Sequence, residues 1–119
     1  MKTGIKQSIL AASISLLFTA PLIAGDTIKL GVAGPHSGDL ASYGIPTIKA
    51  AELAVKEVNA RGGINGKQVE LLIEDDVCKP EIATNTATKL VSDGVDAVLG
   101  HICSGATKAA LPIYKSSGI

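Results

Sequence analysis

Three short apolar runs alternate with three stretches of helical periodicity, and that alternation leaves few folds open to the chain. Residues 27–34 (Thr-Ile-Lys-Leu-Gly-Val-Ala-Gly) are dense in apolar side chains and end at Gly34-Pro35. Residues 67–75 repeat that character around Val69, Leu71, Leu72 and Ile73, and residues 95–99 repeat it as Val-Asp-Ala-Val-Leu. Runs this short, bounded by turn residues, read as strands. After the first, residues 36–44 form a polar loop, and Pro46 suits the first turn of a helix. Ile48, Ala51, Val55 and Val58 then recur on one helical face, with Glu52 and Lys56 at i and i+4 on the solvated side. Gly62-Gly63 closes that helix. Pro80 and Glu81 fit the start of a second, whose apolar face is Ile82, Ala83, Ala87, Leu90 and Val91 and which Gly94 ends. Residues 106–114 make a third, expected to be kinked, short or broken at Pro112. Strand–helix three times over predicts an α/β fold: a doubly wound parallel sheet with helices on both faces and right-handed crossovers. In such sheets ligands bind beyond the carboxyl ends of the strands.

The third run leads through Gly100-His101-Ile102-Cys103 into Ser104-Gly105, where a helix can start. A strand that feeds a helix start leaves free backbone N–H groups at its carboxyl end, and with the helix dipole they suit an anion such as a carboxylate. Ser104 adds a hydroxyl; the same serine also reads as a simple helix cap. Tyr43, in the loop after the first strand, reaches the same sheet edge, either as a packing residue or as a wall of the crevice.

Other chemistries find less support. Zero formal charge, 46% hydrophobic and 3% aromatic residues describe a globular chain with no nucleic-acid footprint and no base-stacking platform. Residues 31–38 lack the dinucleotide-binding glycine spacing, and residues 62–68 resemble a phosphate loop one residue short, with Gln68 where a magnesium-binding hydroxyl belongs. No cofactor is expected. Glu74-Asp75-Asp76 reads as solvated charge at a strand end rather than catalytic carboxylates, and His36 and His101 have no partners at the spacing of a catalytic triad. Lys2 and Lys6 precede an uncharged stretch with a dense apolar block at residues 9–18, broken by Pro21. This predicts a secretory signal peptide over residues 1–24, cut after Ala24, and an exported chain from residue 25 to 119 with no membrane insertion after cleavage. In an exported chain the two cysteines, Cys78 and Cys103, suggest a disulfide; a metal site with His101 is the thinner alternative.

Beyond residue 27 the chain resembles the leucine/isoleucine/valine-binding proteins of bacterial branched-chain amino acid ABC transporters, of the type I periplasmic binding protein fold. The likeness runs through residues 28–38, Tyr43-Gly44, residues 51–55 and 59–66, Asp75-Asp76-Val77-Cys78-Lys79-Pro80 and Gly100-His101-Ile102-Cys103-Ser104. It implies a periplasmic, non-enzymatic binder of a small amino acid of the Leu/Ile/Val class, delivering it to an inner-membrane ABC permease. It implies that Ser104 takes the ligand's α-carboxylate with hydroxyl and N–H, that Ile102 and Cys103 line the same pocket, and that Tyr43 covers the aliphatic side chain. It also implies that Cys78 and Cys103 pair. Members of the family have two lobes and far longer chains, so this one is expected to be the amino-terminal part of a first lobe, holding half a pocket. An amino acid or amide sensor of the same fold, and an exported doubly wound enzyme, are the alternatives.

Overall fold

In the computed structural model, which describes residues 26–119, the three apolar runs form one parallel sheet. The expected signal peptide lies outside the described residues. Strand β1 (Ile28–Gly34) is central. It pairs with β2 (Val69–Asp75) along its whole length, from Ile28 opposite Val69 to Gly34 opposite Asp75. On its other side it pairs with β3 (Ala97–Leu99), Leu30 to Val32 opposite Ala97 to Leu99. The order is therefore β2-β1-β3, and the chain leaves β1 first to one side and then to the other.

The third strand is shorter than its apolar run. Val95 is buried, but its N–H closes the preceding helix on the Leu90 carbonyl. Asp96 then extends the pairing: its N–H donates to the Lys29 carbonyl (2.8 Å), and its carboxylate accepts the Lys29 N–H (2.8 Å). A side chain thus stands in for a strand residue at the head of β3.

Helix α1 (Ala41–Ala60) starts five residues before Pro46, so Tyr43 belongs to its first turn and not to a loop. Pro46 is tolerated because the bond it forgoes would run to the Ser42 carbonyl, exposed near the helix start. The expected stripe holds: Ala51 is buried, and Ile48, Val55 and Val58 are half-buried. At the far end the Asn59 amide both donates to and accepts from the Val69 main chain (2.8 Å each), pinning α1 to the start of β2.

Helices α2 (Pro80–Ser92) and α3 (Ser104–Ser116) pack on each other. Their buried residues Ala87, Leu90, Ala110 and Tyr114 meet Ala33 and Val95 in the main core. Small residues dominate this seam, letting helix and sheet backbones approach closely. Helix α3 runs through Pro112 without a break; Lys108, whose carbonyl loses its partner there, faces solvent and can be hydrated.

One glycine of α1 fixes how the helix meets the sheet. A Cβ at Gly44 would run into the Pro35 carbonyl, which is backbone and cannot turn away. An exposed helical glycine gains about 1 kcal/mol on becoming alanine. Here overpacking opposes that gain and costs about 1–3 kcal/mol. Gly44→Ala is therefore expected to lower stability, measured by urea unfolding; a stabilised variant would show that helix and loop do not meet as described.

Candidate functional site

The strand order sets a topological switch between β1 and β3, and the crevice of such a sheet lies outside the carboxyl ends of those two strands. The segment after β1 carries Tyr43. The segment after β3 carries Ile102, Cys103 and Ser104.

The second segment is heavily tied. Cys103 is bonded to Cys78, with Cα atoms 5.5 Å apart, so the expected disulfide is present and the metal alternative falls away. Helix α3 begins at Ser104. Cys103 is the N-cap residue, and no side chain caps the helix. The first intrahelical bond runs from the Thr107 N–H to the Cys103 carbonyl, leaving the N–H groups of Ser104, Gly105 and Ala106 ahead of it. Ser104 is exposed and does not act as the cap. The Thr107 hydroxyl donates to the His101 carbonyl (2.8 Å), closing the turn from within.

Beneath it lies a buried polar chain. The His101 ring, nearly inaccessible, has Nδ1 2.6 Å from Asp76 Oδ2 and Nε2 3.0 Å from the Tyr114 hydroxyl. Burial pushes the Tyr114 phenol up to about 12, with the Asp76 carboxylate acting the same way, so its O–H is kept as a donor. A carboxylate only accepts, so Nδ1–H donates to Asp76, and Nε2 pairs with the Tyr114 hydroxyl. The other Asp76 oxygen accepts the Cys78 N–H (2.7 Å).

Asp76 is 0% exposed, which corrects its reading as solvated strand-end charge. Its neighbour Asp75 is also engaged. Asp75 accepts the N–H groups of His36 (2.8 Å) and Val77 (2.9 Å) and the hydroxyl of Ser37. Desolvation raises the Asp75 carboxyl, but the bonds from Ser37, Val77 and His36 together outweigh it and hold the group below its ordinary value. Asp75, Asp76 and Tyr114 are the residues that the sequence reading missed. A signal was there: Asp76 precedes Cys78 by two, and His101 precedes Cys103 by two. A disulfide between the cysteines carries the other pair together.

The remaining candidates are open. Tyr43 is 66% exposed and Ile102 41%. Ile102 leans over Gly34, and it lines a recess of about 140 Å³ with Ala33, Thr47, Leu99 and Gly100; Tyr43, Cys103 and Ser104 line neither this recess nor the larger groove along the free edge of β3. Tyr43 and Ser104 thus line no common cavity among these.

A sequence-family profile described as periplasmic binding protein matches residues 27–119. The chain belongs to the periplasmic binding protein family. The Leu/Ile/Val-binding protein of Escherichia coli is 42% identical over 95% of the chain. A leucine-, isoleucine-, valine-, threonine- and alanine-binding protein of Pseudomonas aeruginosa is 43% identical over 89%. The chain spans 30% and 31% of the lengths of these two relatives. A crystal structure of a branched-chain amino acid transporter substrate-binding protein from Streptococcus pneumoniae, in complex with isoleucine, is 43% identical and superposes with a TM-score of 0.75, over 79% of this chain and 27% of that one. The parallel sheet with alternating helices is that expected of this periplasmic binding protein fold.

His36 is a local cost of this family member's loop. Both ring nitrogens are buried, and among the described residues neither finds a hydrogen-bond partner. Burial, the largest influence, depresses its pKa below the ordinary 6.5, although Asp75 and Asp76 pull the other way. A depressed histidine binds protons better unfolded, so its contribution is full above pH 6.5 and is lost as pH falls through the lowered value. His36→Met is expected to raise stability by about 1 kcal/mol at pH 8 and by more at pH 5. Melting curves at the two pH values check this; an equal or lower melting temperature at both would show that the ring is satisfied.

Proposed function

We propose that this chain is part of the substrate-binding component of an ABC transporter, which captures a branched-chain amino acid in the periplasm and presents it to an inner-membrane permease. The observation that carries the reading is the strand order. It sets the free N–H groups at the start of α3 and the exposed Tyr43 on opposite sides of one switch point. An α-amino acid presents a carboxylate, an ammonium and a side chain, and the two segments offer partners for the first and the last. Ser104 hydroxyl and N–H take the α-carboxylate at the positive end of α3. Tyr43 covers the aliphatic side chain, while Ile102 and Cys103 add apolar wall. The likeness to the Leu/Ile/Val-binding proteins supports this ligand class. On this reading the protein binds without turnover and needs no cofactor. Residues 1–24 act as a cleaved export signal, and the disulfide suits the oxidising compartment the chain enters.

Ser104→Ala in the full-length protein keeps the N–H and removes the hydroxyl. A hydrogen bond to a charged group is worth about 1.5–3 kcal/mol, so leucine affinity is expected to fall roughly tenfold to a hundredfold. Melting temperature should hardly move, because Ser104 caps nothing. Tyr43→Ala should weaken leucine more than alanine, since it removes apolar wall and spares the carboxylate. Titration calorimetry reads both; a Ser104→Ala variant that binds leucine as tightly as wild type would remove the serine from the site.

A further inference from the structure

Two neighbouring carboxylates at the end of β2 hold the two segments that flank the switch point, one each. Asp75 is the last residue of β2 and Asp76 follows it with one further bond to β1, and the two side chains reach different neighbours. Asp75 grips the segment after β1 through the His36 and Ser37 contacts. That segment turns at Gly38, whose carbonyl accepts the Ala41 N–H, and runs directly into the first turn of α1 with Tyr43. Asp76 grips the segment after β3 through His101. His101 is held at both its ends, by Asp76 and Tyr114 at the ring and by Thr107 at the carbonyl, and Ile102 to Ser104 follow it immediately. The main chain of the pair is itself fixed. The Asp76 N–H donates to the Gly34 carbonyl (2.9 Å), and the Thr86 hydroxyl donates to the Asp75 carbonyl (3.2 Å).

We propose that Asp75 and Asp76 are positioning residues that divide the ligand site between them: Asp75 sets the side-chain wall carried by α1, and Asp76 sets the carboxylate-binding turn at the start of α3. The inference rests on the amino-acid-binding reading above and adds residues that touch no ligand. It carries a consequence that mere stabilisation would not. Loosening the Asp75 side should change which side chain is preferred. Loosening the Asp76 side should weaken every α-amino acid alike.

The test uses full-length protein, with leucine and alanine as probes in titration calorimetry and a melting curve for each variant. Asp75→Ala is expected to lower leucine affinity about tenfold while alanine changes less than about twofold. Asp75→Asn should restore leucine binding, because the amide oxygen still accepts the two N–H groups. Asp76→Ala is expected to lower both affinities by about the same tenfold. Should either alanine variant fail to fold, Ser37→Ala and Tyr114→Phe loosen the same two ties more gently, and the same split is expected at smaller size. Variants that melt earlier yet keep both affinities would make the aspartates purely structural and overturn the proposal. So would an Asp75 variant that weakens leucine and alanine equally. Wild-type protein that binds no branched-chain amino acid would instead overturn the ligand class, a result separable from the others because it needs no variant.

Discussion

The hydrogen bond between Asp76 and His101 joins two strand ends that the sheet itself never joins. β2 and β3 lie on opposite sides of β1 and share no pairing. Their carboxyl ends are tied across the top of the central strand by this buried bond and by the Cys78–Cys103 disulfide two residues further along each segment. The two ties differ in kind. Closing a loop of this length covalently is worth about 3–4 kcal/mol in the chain-entropy picture, and it fixes a distance. The polar chain fixes an orientation, because imidazole, carboxylate and phenol bond only along set directions. Its members are buried, so deleting one leaves its partner without water and costs about 1–3 kcal/mol.

The same corner stores backbone strain. Val77 and Cys78 both have positive φ, 49° and 61°, a region that a β-branched residue avoids. Such a conformation costs on the order of 1–3 kcal/mol per residue and persists only where its surroundings dictate it. Here the dictation is visible. The Val77 N–H donates to Asp75 two residues back, the Cys78 N–H donates to Asp76 two residues back, and the Lys79 N–H donates to the Asp76 carbonyl. The left-handed pair turns the chain so that Pro80 can open α2 while Cys78 faces Cys103.

Much of this was open to reading in the chain itself. The strands announced themselves as short apolar runs bounded by turn residues, and the helical stripe of α1 followed from spacing alone. What misled was punctuation. Gly44 read as the end of a loop and Pro46 as the first turn of the helix, yet the helix starts at Ala41: Gly44 sits inside it because the Pro35 carbonyl needs its space, and Pro46 comes early enough that one lost bond is cheap. Pro112 misled in the same way from a solvated face. The acids at the end of β2 failed for a different reason. A run of three carboxylates normally marks solvent, and the burial of Asp76 depends on a turn whose left-handed residues, Val77 and Cys78, carry no glycine to advertise it. The turn into α3 at Ser104 was legible from strand and helix boundaries; Asp76 and Cys78, which help to hold it, come from 25 residues earlier in the chain, a separation no local pattern encodes.

The unequal restraint of the two segments bears on selectivity. The turn before Ser104 is held by a disulfide, by the buried Asp76–His101–Tyr114 chain and by the Thr107 hydroxyl. On the proposed reading this rigid side meets the carboxylate, the group every amino acid shares, where a preorganised donor set loses least on binding. Tyr43 stands on the first turn of α1, two-thirds exposed, with its segment held by an Asp75 whose own side chain is only half-buried. This looser side meets the group that differs between ligands. A site built so discriminates weakly among aliphatic side chains of similar size, since a methylene is worth only about 1 kcal/mol, while it holds firmly to the α-carboxylate. On the same reading, selection among leucine, isoleucine and valine rests on the Tyr43 side, where the ring is two-thirds exposed.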